Sequence, residues 1–138
     1  MIDDRLNLFF DGLMSAFLGE RSEEFQSHFV FPVVIYSVAG VTVVREPEDL
    51  LRITSLYRDA LRETAMVATN YEITSHGPPR NNRLRATLSF SDFLPDGAAY
   101  SGSVVQYYLV DGPEGYKIEM MEYVEVPLGI SDVERIVH

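Results

Sequence analysis

Four runs of alternating polar and apolar residues, about 65–76, 83–94, 99–111 and 115–126, fill the second half of the chain and are joined by turns rich in glycine, proline and asparagine. Alternation with a period of two marks strands with one buried and one wet face, and turns this short join antiparallel neighbours. This half therefore reads as a meandering sheet. In the second run Leu84, Ala86, Leu88 and Phe90 share one face, with Arg83, Arg85, Thr87 and Ser89 on the other. Carried into the last run, the same parity puts Tyr116, Ile118, Met120, Glu122, Val124 and Val126 on the inner face and Lys117, Glu119, Met121, Tyr123 and Glu125 opposite. The third run is apolar on both faces from Val104 to Val110. Its Gln106 and Tyr108 share the parity of Val104 and are read as facing inward. Val105, Tyr107 and Leu109 then alternate on the outer face, as expected if a partner subunit or a helix covers it, and they prompt the expectation of a homodimer formed through that face.

The first half is helical in pattern. Leu6, Phe9, Phe10, Leu13, Met14, Phe17 and Leu18 recur every three or four residues on one helical stripe. Asp3 and Asp4 favour the positive end of that helix's dipole, and Gly19 is a stop signal. A second, shorter helix is expected from Ser22, carrying Phe25, His28 and Phe29 inward and ending at Pro32. Val33 to Tyr36 and Val41 to Val44 flank a turn and read as a short hairpin or a bent strand pair. Pro47 opens a third helix, with Glu48 and Asp49 in its first turn and Leu50, Ile53, Tyr57, Ala60 and Leu61 on its buried stripe. After Pro127 a tail, 127–138, carries Ile130, Val133, Ile136 and Val137, in keeping with a docked helical turn, an exchange arm or a frayed end.

A chain of 138 residues with this pattern can bury roughly two thirds of its unfolded surface in one core, so a single domain is expected over 1–138. The formal charge of −10 repels phosphate on average and argues against nucleic acid or an anionic membrane as partner. Arg80, Arg83 and Arg85 are read as solvated strand ends beside a turn rather than as a basic patch. With no cysteine there is neither a disulfide framework nor a thiolate nucleophile. The N-terminus has no basic region followed by an apolar core, and Phe29 to Val41 is too short to span a bilayer, so a cytoplasmic location is the default expectation. Phosphate loops, a serine elbow and nucleotide fingerprints are absent, and no cofactor is expected.

Helices, a short strand pair, a longer helix and then four antiparallel strands is an element order that resembles the nuclear-transport-factor-2-like superfamily over about residues 4 to 126. That superfamily includes SnoaL-like polyketide cyclases and ketosteroid isomerases. The resemblance implies an α+β fold in which N-terminal helices pack on a strongly curved, mainly antiparallel sheet, a cone-shaped barrel. It also implies a cavity between helices and concave sheet face, lined by inward acids and tyrosines. Glu122 is close to where SnoaL-like members carry an inward acid, commonly an aspartate. Ketosteroid isomerase-like members place a base aspartate after the second helix and an oxyanion tyrosine on the first. This chain has Val33 to Tyr36 in the former region, without an acid, and phenylalanines, leucines and a methionine on the first helix's stripe.

A carboxylate on an apolar strand face must be hydrogen-bonded, desolvated or open to a wet cavity. Glu122 is accordingly the candidate catalytic acid or base, with Tyr36, Tyr57 or Tyr108 donating to an oxyanion. Asp92 and Gln106 are further polar candidates for ligand binding, and Phe17 and Met120 candidates for its apolar wall. The plainer alternatives are a structural hydrogen bond for Glu122, turn capping for Asp92 beside Pro95, Asp96 and Gly97, mutual hydrogen bonding or a dimer contact for Gln106 and Tyr108, and simple core packing for Phe17 and Met120. Glu24 and His28, four apart, could share a metal, but with no third ligand in view a helical i,i+4 pair explains them equally well, and no metal is expected. The expected function is thus binding of a small, mostly apolar, carbonyl-bearing metabolite, with isomerase, cyclase or dehydratase-type proton transfer by Glu122. The alternative is a noncatalytic dimeric binding or protein-interaction module.

Overall fold

The computed structural model describes residues 4–37, 40–63, 68–93 and 99–125; the expected tail, 127–138, lies outside them. The order is α1 (Asp4–Leu18), α2 (Ser22–Gln26), β1 (Phe29–Ser37), β2 (Gly40–Val44), α3 (Pro47–Glu63), β3 (Ala68–His76), β4 (Arg83–Phe93), β5 (Ala99–Gly112) and β6 (Gly115–Glu125). Helix α1 forms where the apolar spacing places it, with Leu6, Phe10, Leu13 and Ala16 buried along one stripe. It closes with Arg21 N–H donating to the Ala16 carbonyl at 3.0 Å, and Glu20 rather than Gly19 takes the left-handed conformation, at φ 55°. Helix α2 is shorter than expected. Phe29 and Pro32 belong to β1, where the pairing with β6 is irregular between Phe29 and Val34 and a residue without an N–H is tolerated.

The six strands form one sheet in the order β2-β1-β6-β5-β4-β3. Each neighbouring pair is antiparallel except β1 with β6, which is parallel. Strands β2 and β3 end the sheet without pairing to each other, so it stays open. The expected cone-shaped barrel is therefore corrected: this sheet is neither strongly curled nor closed. Closure requires the first and last strands to exchange ladder hydrogen bonds, and none join β2 to β3 among the described residues.

One face of the sheet carries the core. Val33 and Ile35 of β1, Leu84, Ala86 and Leu88 of β4, and Val105, Tyr107 and Leu109 of β5 are buried against Leu6, Phe10 and Leu13 of α1 and Leu50 and Ile53 of α3. The Phe10 and Tyr107 rings stand 5.1 Å apart. The β4 parity matches the sequence reading, but β5 is the reverse of it. Val105, Tyr107 and Leu109, expected on the outside, are core residues at 2%, 6% and 0% exposure. The apolar-on-both-faces pattern of β5 hid its direction; only its pairing to β4, Leu88 opposite Val105 and Leu84 opposite Leu109, decides it.

Strand β6 changes parity along its length. Leu109 pairs with Ile118 but Tyr108 pairs with Met120, so Glu119 is an extra residue on β6. Ile118 is fully buried before this bulge; beyond it Met121 is buried and Tyr123 packs on the core. Met120 and Glu122 are thereby turned to the outer face, and Val124 on that face is 47% exposed. Glu119 itself accepts a 2.9 Å hydrogen bond from Arg83 Nε across the sheet, so this arginine is held at a strand end rather than gathered into a basic patch.

Candidate functional site

Helix α1 does not seal the β3 end of the sheet, and a cleft of about 550 Å³ lies between them. From α1 it is lined by Asn7, Asp11, Met14 and Leu18, which follow one another at helical spacing along the flank of the buried stripe. From β3 it takes four consecutive residues, Asn70 to Ile73, because β3 is the last strand and exposes its edge.

Two polar groups meet on this wall. The Tyr71 hydroxyl donates a 2.5 Å hydrogen bond to Asp11 Oδ1 and lies 3.3 Å from the main-chain oxygen of Asn7. The ring of Tyr71 is fixed by Phe10 at 6.2 Å and Phe90 at 6.4 Å, and Ile73, two residues along, is buried on the same face. Burial pushes the Tyr71 phenol well above its ordinary value, and the hydrogen bond to the Asp11 carboxylate and its charge add to the shift. The arrangement holds a carboxylate with its position set by a neutral phenol, beside the apolar side chains of Met14, Leu18 and Ile73.

Neither Asp11 nor Tyr71 was singled out from the sequence. Asp11 sits one turn from Asn7 and beside the stripe, a position that also describes a solvated flank. Tyr71 shares the parity of Ile73 between Asn70 and Glu72, the one signal that marks it as inward.

Of the residues expected to form a site, Tyr36, Gln106, Tyr108, Met120 and Glu122 do come together, but on the opposite face of the sheet from the helices. Glu122 lies between Tyr36 and Gln106 in the ladder, Met120 between Val34 and Tyr108, and the Tyr108 hydroxyl donates to Gln106 Oε1 at 3.1 Å. The inward placement expected of Met120, Glu122, Gln106 and Tyr108 is corrected by the β6 bulge and the β5 parity. Tyr36, 39% exposed, is joined on this outer face by Val41 and Val43 of β2, its own ladder partner and that of Val34. Phe17 is half-buried on α1 against Phe25, their rings 6.0 Å apart. The side chains of Tyr57 and Asp92 lie outside the described residues.

His28 Nδ1 is 2.8 Å from the main-chain oxygen of Glu24, while the Glu24 carboxylate accepts from Arg21 Nε at 2.6 Å. The two side chains therefore do not converge. Among the described residues no group of three metal-ligating side chains forms, and no helix is long and apolar enough to cross a membrane.

No family model and no curated protein matches this sequence. Solved structures do. A domain of unknown function with a cystatin-like fold from Nostoc punctiforme superposes with a TM-score of 0.64 at 14% identity, over 88% of this chain and 75% of that one. An NTF-2 like protein of unknown function from Shewanella oneidensis gives 0.65 at 8% identity, over 87% and 96%. A ketosteroid isomerase-like protein from Erwinia carotovora gives 0.56 at 10% identity, over 87% and 94%. At such identities the likeness is one of architecture: the helices on one face of this open sheet, and the order in which they and the strands follow, give the chain the nuclear-transport-factor-2-like, or cystatin-like, fold.

Proposed function

We propose that the chain binds a small, mostly apolar molecule in the cleft between α1 and β3. The observation that carries this reading is the Asp11–Tyr71 pair, held at 2.5 Å on the wall of a cleft whose other walls include Met14, Leu18 and Ile73. A concave cleft in which fixed polar groups stand beside apolar side chains is a common form of ligand site. The fold hosts many functions, so the reading rests on the cleft and not on the architecture. Proton transfer by Glu122 finds no support in its position on the outer face; Asp11 is the carboxylate that faces a cavity.

The test is melting temperature against steroids, aromatic polyketides, terpenoids and small acids and amines, for wild type and for Met14→Trp, which fills the cleft. A ligand at about 100 times its dissociation constant adds roughly 2.7 kcal/mol to stability. A shift seen in wild type and lost in Met14→Trp supports the reading. Silence across the panel, or shifts that survive the substitution, rejects it.

A second reading concerns the outer face and is compatible with the first. Val41, Val43, Tyr36 and Val124 are each 39–53% exposed there, flanking Met120, Gln106 and Glu122. An apolar patch of this kind, spread over the edge strand β2 and its neighbours β1 and β6, supports a homodimer that buries it, through the residues opposite to those expected from the sequence.

A further inference from the structure

The polar wall of the α1/β3 cleft accepts hydrogen bonds and has little to donate. Tyr71 gives its one proton to Asp11 Oδ1, so its oxygen offers only lone pairs to a ligand. The second oxygen of the Asp11 carboxylate takes no hydrogen bond among the described residues. The amides of Asn7 and Asn70 turn either way and decide nothing. Among the described residues that line the cleft none is basic. Such a wall repels a carboxylate and leaves a carbonyl oxygen without a fixed donor, while a ligand with N–H groups and a positive charge satisfies it.

We infer that the cleft selects an amine carried on an apolar body. Its ammonium group sits against the second oxygen of Asp11, and its apolar part lies on Met14, Leu18 and Ile73. Tyr71 acts as a positioning residue that holds the Asp11 carboxylate toward the ligand. The chain's formal charge of −10 draws a cation in the same sense. This inference rests on the reading of the cleft as a ligand site, and it replaces the carbonyl-bearing ligand expected from the sequence with one of opposite hydrogen-bonding character.

The experiment is calorimetric titration of the full chain with three probes of matched apolar body: 4-phenylbutylamine, 4-phenylbutanoate and 4-phenyl-2-butanone. Wild type, Asp11→Asn and Met14→Trp are compared at two salt concentrations. Asp11→Asn keeps the shape of the side chain and its place beside Tyr71 but removes the charge. The expected result is that only the amine binds, that Asp11→Asn weakens it by about tenfold or more, and that Met14→Trp abolishes it. Binding of the ketone or carboxylate as tightly as the amine, blocked by Met14→Trp, overturns the inference while upholding the cleft as a site. So does amine binding that Met14→Trp blocks and Asp11→Asn leaves unchanged. Absence of binding by all three probes, or amine binding indifferent to both substitutions, rejects the cleft itself and the inference with it.

Discussion

Tyr71 joins core and cleft in one side chain, because its ring packs between Phe10 and Phe90 while its hydroxyl reaches Asp11. Tyr71→Phe keeps the ring and removes the hydrogen bond, and is expected to cost about 0.5–1.5 kcal/mol in urea unfolding at neutral pH. A larger loss, with altered cooperativity, would mean that the hydroxyl holds α1 against the sheet and does more than position a carboxylate. The phenols also give the fold an alkaline limit. Tyr123, packed on the core, is pushed up to about 12 by burial, and Tyr71 is raised in the same direction. An unfolded tyrosine titrates near about 10, so the folded state holds these protons more tightly. Their contribution is complete below about pH 10 and declines as the pH rises toward the folded values. Urea midpoints measured from about pH 9 to 12 should fall over that interval, and Tyr123→Phe should flatten the fall. An unchanged slope in that variant would show that Tyr123 ionises as freely in the folded chain as in the unfolded one.

The elements were legible where a local pattern settles them and illegible where a neighbour does. Asn81 and Asn82 both have positive φ, 52° and 61°, and Arg80 and Arg83 exchange hydrogen bonds of 2.9 and 2.8 Å across them. That is the two-residue turn whose twist suits a hairpin, and asparagine tolerates it. Asn82→Ala is expected to cost about 1 kcal/mol in thermal or urea unfolding, and Asn82→Gly to cost nothing or stabilise. Equal stability of all three forms would show that the turn is reshaped without cost. The starts of α1 and α3, the β1–β2 hairpin and the face of β4 could likewise be read from spacing, prolines and alternation. The face of β5 could not, because Val104 to Val110 is apolar on both sides and only the partner strand chooses between them. Strand β6 misled for a different reason: an extra residue at Glu119 reverses the side chains that follow it, up to a second irregularity between Tyr123 and Glu125, and no local propensity marks a bulge there. Glu122 and Met120 were therefore placed on the wrong face together, while Asp11 escaped notice because the flank of a helix looks the same in sequence whether it meets water or a cleft.

For the whole molecule the two faces of the sheet make opposite predictions for residues that alternate along neighbouring strands. Leu109 is fully buried in the core with Ile118 as its ladder partner. Leu109→Ala should remove about 2–5 kcal/mol of folding stability, through lost burial and the cavity left behind, whatever the state of association. Val43 is 42% exposed on the outer face beside Val34, and a carboxylate there remains hydrated in a monomer, so Val43→Asp should leave the folded monomer within about 0.5 kcal/mol of wild type. If the outer face joins two copies, that same substitution buries an unpaired charge twice in a symmetric interface, once from each subunit. Light scattering over a concentration series should then find a dimer for wild type and a folded monomer for Val43→Asp, with circular dichroism unchanged. A monomeric mass for wild type at every concentration removes the interface, and a dimer that persists in Val43→Asp moves it off this face. Either result leaves the Leu109 prediction standing, since that one depends only on which side of β5 is the core.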